Sequence, residues 1–191
     1  MTDETTAEQK IRADAASVLV VEDEAELADM YGAYLGDLYD VDVVYGGQDA
    51  LDALDDSYDV LLLDRRMPVV SGNEVLASLE DRGLDMRVAM VTAVNPDFDI
   101  IDLRIDDYLI KPVTKSDVRE TVQRLLKLDE YDEQMRRLTS KKLKRNVLKV
   151  EKTGAELDES SEFEQLNREI RSLEQEVDAI AEELDVQNAD M

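Results

Sequence analysis

The chain has 191 residues, enough for one domain of ordinary size and a smaller appendage. It contains neither cysteine nor histidine, which excludes a disulfide framework, a thiolate metal site and the commonest general base, so any catalysis must use carboxylates, hydroxyls, lysine or a bound ion. Its 47 Asp and Glu against 22 Lys and Arg leave a formal charge of −25, yet 43% of the residues are apolar and fall in ordered runs, which excludes disorder as the meaning of this acidity.

A folded chain this acidic repels itself in dilute buffer, whereas about 1 M salt shortens the Debye length to roughly 3 Å and removes most of that penalty. The charge therefore predicts a salt-rich cytoplasm, as in halophiles. The opening MTDETTAEQK has no apolar core of a secretory signal, and no stretch approaches the roughly 20 apolar residues of a membrane span. A cytoplasmic protein without membrane contact is expected.

Residues 1–16 are polar and expected to be disordered. Ser17 to Val21 (SVLVV) is apolar throughout and too short for a helix, which predicts a strand buried on both faces. Comparable runs follow at Asp59 to Asp64 and Val88 to Thr92, with a shorter one at Asp107 to Ile110 and a more alternating one at Tyr39 to Tyr45. Between them stand helical patterns, with Leu27, Met30, Tyr31, Tyr34 and Leu35, then Ala50, Leu51 and Leu54, then Val75, Leu76 and Leu79. Strand and helix alternate, and parallel strands need right-handed crossovers, so the fold class is α/β: a five-stranded doubly wound parallel sheet over residues 17–127.

Beyond Pro112 the pattern turns helical. No Pro or Gly interrupts Lys115 to about Lys152, which predicts one long helix or two end to end, with Gly154 as its stop. Ser161 with Glu164 forms a capping-box signature for a further helix. That helix carries Phe163, Leu166, Ile170, Leu173, Val177, Ile180 and Leu184 in 3-4 alternation, a seam that packs on another helix. Residues 128–186 thus form a helical hairpin or coiled-coil extension, and 187–191 should fray.

The chemistry gathers at the strand ends. Glu22 and Asp23 follow the first strand, Asp64 ends the third, Thr92 ends the fourth and Lys111 follows the fifth, all on the edge where open α/β sheets bind ligands. Three carboxylates there resist ionising together unless a cation neutralises them, and Mg2+, which takes oxygen ligands beside phosphate, suits the set. A lysine and a hydroxyl opposite would complete a cradle for a phosphoryl group.

The segments VVEDE, LLLDRRMPVVSG, MVTA and DDYLIKP resemble the signatures of response-regulator receiver domains. The resemblance implies Asp64 as phosphoacceptor, Asp23 and Glu22 as magnesium ligands, the second largely through water, and a metal contact from the backbone carbonyl of Arg66. It also implies phosphoryl contacts from Thr92 and Lys111, an open approach at Ala93, a cis Lys111–Pro112 bond, and Thr92 with Tyr108 as the switch pair. A sensor histidine kinase is the implied donor. One segment departs from the family pattern: Thr92 to Lys111 is short, and Asn95–Pro96 interrupts it, so a short or irregular fourth helix is expected and the family's dimer surface does not carry over.

Two other classes fit less well. Haloacid-dehalogenase-like phosphatases need a second Asp two residues after the nucleophile, where this chain has Arg66, and a purely structural coiled-coil adaptor leaves Asp64, Thr92 and Lys111 unexplained.

In the tail, Arg136, Arg137, Lys141, Lys142, Lys144, Arg145, Lys149 and Lys152 face a single acid, Glu151, while 156–190 hold 13 acidic and 2 basic residues. This predicts an acidic helix folded on a basic one, with two functional alternatives: nucleic-acid or transcription-machinery contact through Arg136 to Lys149, or a homodimer through Phe163 to Leu184. The basic-then-acidic arrangement resembles haloarchaeal regulators with a HalX-type domain, which implies transcriptional output; the alternative is a phospho-switch adaptor acting through protein contacts without DNA.

Overall fold

A computed structural model of the chain describes residues 16–93, 95–96 and 98–189. The tail expected to be disordered lies outside the described residues except for Ala16, as do the last two residues of the expected frayed end. The chain divides into two units, 1–126 and 127–191.

In the first unit, β1 (Ser17–Val21), β2 (Asp40–Val44), β3 (Val60–Leu63), β4 (Arg87–Thr92) and β5 (Asp107–Ile110) form one parallel sheet in the order β2-β1-β3-β4-β5. The alternating helices are α1 (Ala25–Leu35), α2 (Gly47–Ala53) and α3 (Gly72–Arg82), followed beyond β5 by the first part of α4 (Lys115–Glu151). β1 and β3 are buried along nearly their whole length, as expected for strands covered on both faces. Leu19, Val21, Leu61, Leu63, Val88 and Met90 pack with Ala50, Leu54, Val75, Leu76 and Leu79 of the α2 and α3 side. Val18, Val20, Ala28, Tyr31, Leu35, Val118, Val122 and Leu125 are buried as well.

Strand order reverses at β1, which has β2 on one side and β3 on the other. That reversal opens a crevice at the carboxyl ends of β1 and β3. Among the described residues between β4 and β5 there is one 3-10 turn, Phe98–Asp102, in keeping with the short or irregular helix expected from the Asn95–Pro96 interruption.

The second unit contains the rest of α4, a short α5 (Gly154–Asp158) and α6 (Ser161–Ala189). Leu138 of α4 packs with Ile170, Leu173 and Val177 of α6, flanked by Tyr131, Met135 and Leu166. Lys141 pairs with Glu169 at 2.5 Å, Lys142 with Glu174 at 2.8 Å, and Lys127 with Glu183, so the acidic helix neutralises part of the basic one.

Three expectations about this region need correction. Gly154 does not stop the long helix; it is the first residue of α5, capped by Thr153, whose hydroxyl accepts from Glu156 N–H in a capping box. Ser161 does not cap α6 either: Ser160 does, accepting from Phe163 N–H at 3.1 Å, because its hydroxyl stands one residue ahead of the first turn. The seam proposed for a homodimer (Phe163, Leu166, Ile170, Leu173, Val177, Ile180, Leu184) is not a free surface, since Ile170, Leu173, Val177 and Leu184 are buried within a single chain.

Candidate functional site

Val21 of β1 lies opposite Leu63 of β3, so the residues that follow each strand emerge side by side at the sheet edge. Asp64 N–H donates to Val21 C=O at 2.9 Å, which fixes its backbone beside Glu22. Both side chains are buried, Glu22 at 1% exposure and Asp64 at 6%, and Asp23 is more open. Oxygens of all three lie within 4.8 Å of one another. Three hard oxygen donors at one sheet edge fit a small divalent cation such as Mg2+, which binds through a few carboxylates and keeps waters for its remaining positions.

Lys111 enters from the end of β5. Its backbone N–H donates to Thr92 C=O at 2.9 Å, and its bond to Pro112 is cis. Its ammonium sits 2.6 Å from Glu22 Oε2 and 3.2 Å from Asp64 Oδ2. Burial pulls the lysine pKa down, but the hydrogen bond to Glu22 and the fields of Asp64 and Glu22 outweigh it and hold the pKa above the usual value. The pKa of Glu22 is raised as well: burial lifts it, and one ammonium shared with Asp64 does not fully offset that.

Thr92 is fully buried on β4, two residues past Met90, the partner of Leu63. Tyr108 is half-buried on β5, opposite Met90, and packs against the core. Arg66 N–H donates to Asp64 Oδ1 at 3.3 Å. The structure therefore brings Glu22, Asp23, Asp64 and Lys111 together and places Thr92 and Tyr108 on the two adjoining strands.

Sequence reasoning missed two neighbours. Gly72 opens α3 directly beneath the site, and a Cβ there would stand 2.4 Å from Asp64 C=O and 2.9 Å from Arg65 Cα, closer than any side chain can approach. Its only signal was its place after Asp64 in LLLDRRMPVVSG. Ser71, just before it, forms a capping box with Glu74 that anchors the start of α3. Tyr31, read from the sequence as one of an apolar stripe, is buried within the fields of Lys111, Glu22 and Asp64, and burial raises its phenol pKa. Val69, in the loop between β3 and α3, is exposed and has φ of 68°, a conformation that β-branched residues rarely take.

Comparison with known proteins places these features in a family. The response regulator receiver domain model matches residues 18–123, and the HalX domain model matches 127–191. A Haloferax volcanii protein whose name describes a transcriptional regulator is 53% identical over 116 residues, 60% of this chain and 20% of that one. The transcriptional regulatory protein CpxR of Escherichia coli K12 is 34% identical over 121 residues, 61% of this chain and 52% of its own. The chain thus spans a fifth of the first relative and about half of the second. Among solved structures, the signal receiver domain of a Luxo repressor protein from Vibrio parahaemolyticus superposes with a TM-score of 0.57 at 28% identity, covering 62% of this chain and 95% of that one. TrrA of Thermotoga maritima, solved with Mg2+ and beryllium fluoride, gives 0.50 at 26% identity over 58% of this chain and 98% of its own.

Proposed function

Because the chain belongs to the response-regulator receiver family and continues into a HalX domain, we propose that it accepts a phosphoryl group on Asp64 from a sensor histidine kinase and relays that event to transcription. The observation that carries the reading is the Lys111 ammonium bridging Asp64 and Glu22 at 3.2 and 2.6 Å beside a three-carboxylate cluster. The same-strand-end layout is what phosphoryl transfer needs, since little covalent work falls to the protein beyond positioning and charge stabilisation.

In the proposed step an Asp64 carboxylate oxygen attacks phosphorus, an O–P bond forms, and the P–N bond of the donor phosphohistidine breaks, with the leaving imidazole taking a proton. Glu22, Asp23, Asp64 and the Arg66 carbonyl would hold Mg2+, whose chemistry is to neutralise the charge of the phosphoryl oxygens. Lys111 already points at the carboxylate that reacts, and its raised pKa keeps it cationic. Lys111 pairs with one phosphoryl oxygen once the acyl phosphate exists, and the Thr92 hydroxyl turns to another. Tyr108 then repacks on its strand, so phosphorylation shifts an equilibrium between two arrangements of β4 and β5. Hydrolysis of the acyl phosphate returns the protein to its starting state, which makes the chain a signalling phosphoacceptor and not an enzyme acting on a separate substrate.

Incubation with radiolabelled acetyl phosphate tests this directly. The unaltered chain should label only with Mg2+ present, and Asp64→Ala should not label. Retained label on Asp64→Ala would remove the assignment.

A further inference from the structure

Asp107 opens β5 and Tyr108 follows it. Successive residues of a strand face opposite sides of a sheet, so with Tyr108 packed on the α2 and α3 side, Asp107 is turned to the other face. There its carboxylate makes two bonds. Oδ1 accepts the Tyr108 N–H at 2.8 Å, and Oδ2 accepts from the guanidinium of Arg124 on α4. One carboxylate thus joins the backbone of the proposed switch residue to a helix that continues without a break to Glu151.

The pair is enclosed. The side chains of Arg124 and Asp107 are 10% and 14% exposed, and the same Arg124 nitrogen reaches the buried Thr121 Oγ1 at 3.4 Å. Burying two charges costs desolvation that their attraction does little more than return, so an apolar contact of the same size would hold β5 to α4 as well. What an apolar contact lacks is direction. A planar guanidinium set on a carboxylate tolerates little sliding, so a shift of one partner carries the other or breaks the pair. An earlier tie on α4 is of another kind. Arg119 Nε donates to Tyr34 C=O at 2.6 Å and its guanidinium pairs with Asp37, just past the end of α1, with side chains 27% and 59% exposed. That tie holds α4 to an element that carries neither Thr92 nor Tyr108.

Taking Asp64 as the phosphoacceptor, on which this rests, we infer that Arg124 is a positioning residue of the relay: it makes α4 follow β5 when Tyr108 repacks, while Arg119 keeps α4 against α1. Coupling of this kind needs an element with two arrangements and a contact that registers the difference. Here β5 is the element and the pair of Asp107 with Arg124 is the contact. As an edge strand, β5 is hydrogen-bonded to β4 alone, so its displacement disturbs one neighbouring strand and no second.

Amide hydrogen exchange of the full chain in Mg2+, with and without acetyl phosphate, tests this beside a labelling assay. Phosphorylation should change exchange within residues 115–126 of the unaltered chain by at least about threefold. Arg124→Leu and, separately, Asp107→Asn should lose that change while Asp64 still labels, and Arg124→Lys, which keeps a cation facing Asp107, should retain it. Arg119→Leu should retain it as well, whereas a merely structural role for Arg124 would make the two leucine variants behave alike. An exchange change that persists in Arg124→Leu overturns the coupling, as does an unaltered chain that labels without any response in α4. Should Arg124→Leu fail to fold, Asp107→Asn decides by the same criterion. An unaltered chain that does not label removes the assignment of Asp64, and the coupling with it.

Discussion

The ammonium of Lys111 is closer to Glu22 (2.6 Å) than to Asp64 (3.2 Å). Lys111 is the side-chain counter-charge of the pocket, and it engages Glu22 Oε2 and Asp64 Oδ2, carboxylate oxygens that a divalent ion would use. Lys111→Met should therefore tighten Mg2+ binding, by about tenfold or about 1.4 kcal/mol, while slowing acetyl-phosphate labelling. Isothermal titration with Mg2+ alone checks the first part, and weaker binding by the variant would contradict it.

Gly72 has a role that is purely spatial. Because a methyl group there would press on Asp64 C=O and Arg65 Cα, Gly72→Ala should destabilise the first unit by about 1–3 kcal/mol and reduce labelling of Asp64. Urea unfolding followed beside a labelling assay tests both. A variant with unchanged midpoint and unchanged labelling would show that the loop yields without consequence.

Tyr58 gives a pH signature remote from the site. Burial, then its 2.8 Å hydrogen bond to the Asp42 carboxylate, raises its pKa from 10.0 to about 12. The folded state thus holds the phenol proton more tightly than the unfolded chain. This contribution to stability is complete below pH 10 and is lost as pH rises through about 12. Ultraviolet titration should show a late tyrosine step that disappears in Tyr58→Phe. If the late step remains, it belongs to another of the 7 tyrosines.

In the second unit, Ile170 is 1% exposed at the centre of the contact between α4 and α6. Ile170→Ala should cost about 2–5 kcal/mol, read as a lowered thermal midpoint of helical signal. The exposed Val150→Ala should change it little.

A charge of −25 predicts that the melting temperature climbs between dilute buffer and about 1 M KCl, where the Debye length falls to roughly 3 Å. A flat profile would mean that the carboxylates are already neutralised within the fold.

β1, β3 and most of β4 were legible because they are short apolar runs separated by helical patterns, and burial on both faces demands that composition, whereas β2 and β5 carry aspartates, are less buried, and were legible from their place in the alternation. Glu22, Asp64 and Lys111 were legible because each stands at the end of such a run. Gly72 was not, since its importance depends on how closely α3 approaches Asp64, a distance that no local pattern encodes. The caps of the second unit were misplaced for a related reason: Ser160 and Ser161 are adjacent hydroxyls, Thr153 and Glu156 make an equally good box, and only backbone geometry chooses among them. The heptad seam was read correctly as a helix-packing surface, but periodicity says nothing about whether the partner helix belongs to the same chain.

The single turn from Phe98 to Asp102 has an energetic consequence. Phe98 and Ile101 are 85% and 74% exposed, so these two side chains contribute little burial to hold the turn in place, and a one-turn 3-10 segment has few internal hydrogen bonds to lose. Rearranging it is correspondingly inexpensive. Beyond the turn, Leu103 and Ile105 return the chain to the core, so among the described residues the exposed apolar surface of this connection is confined to the turn itself.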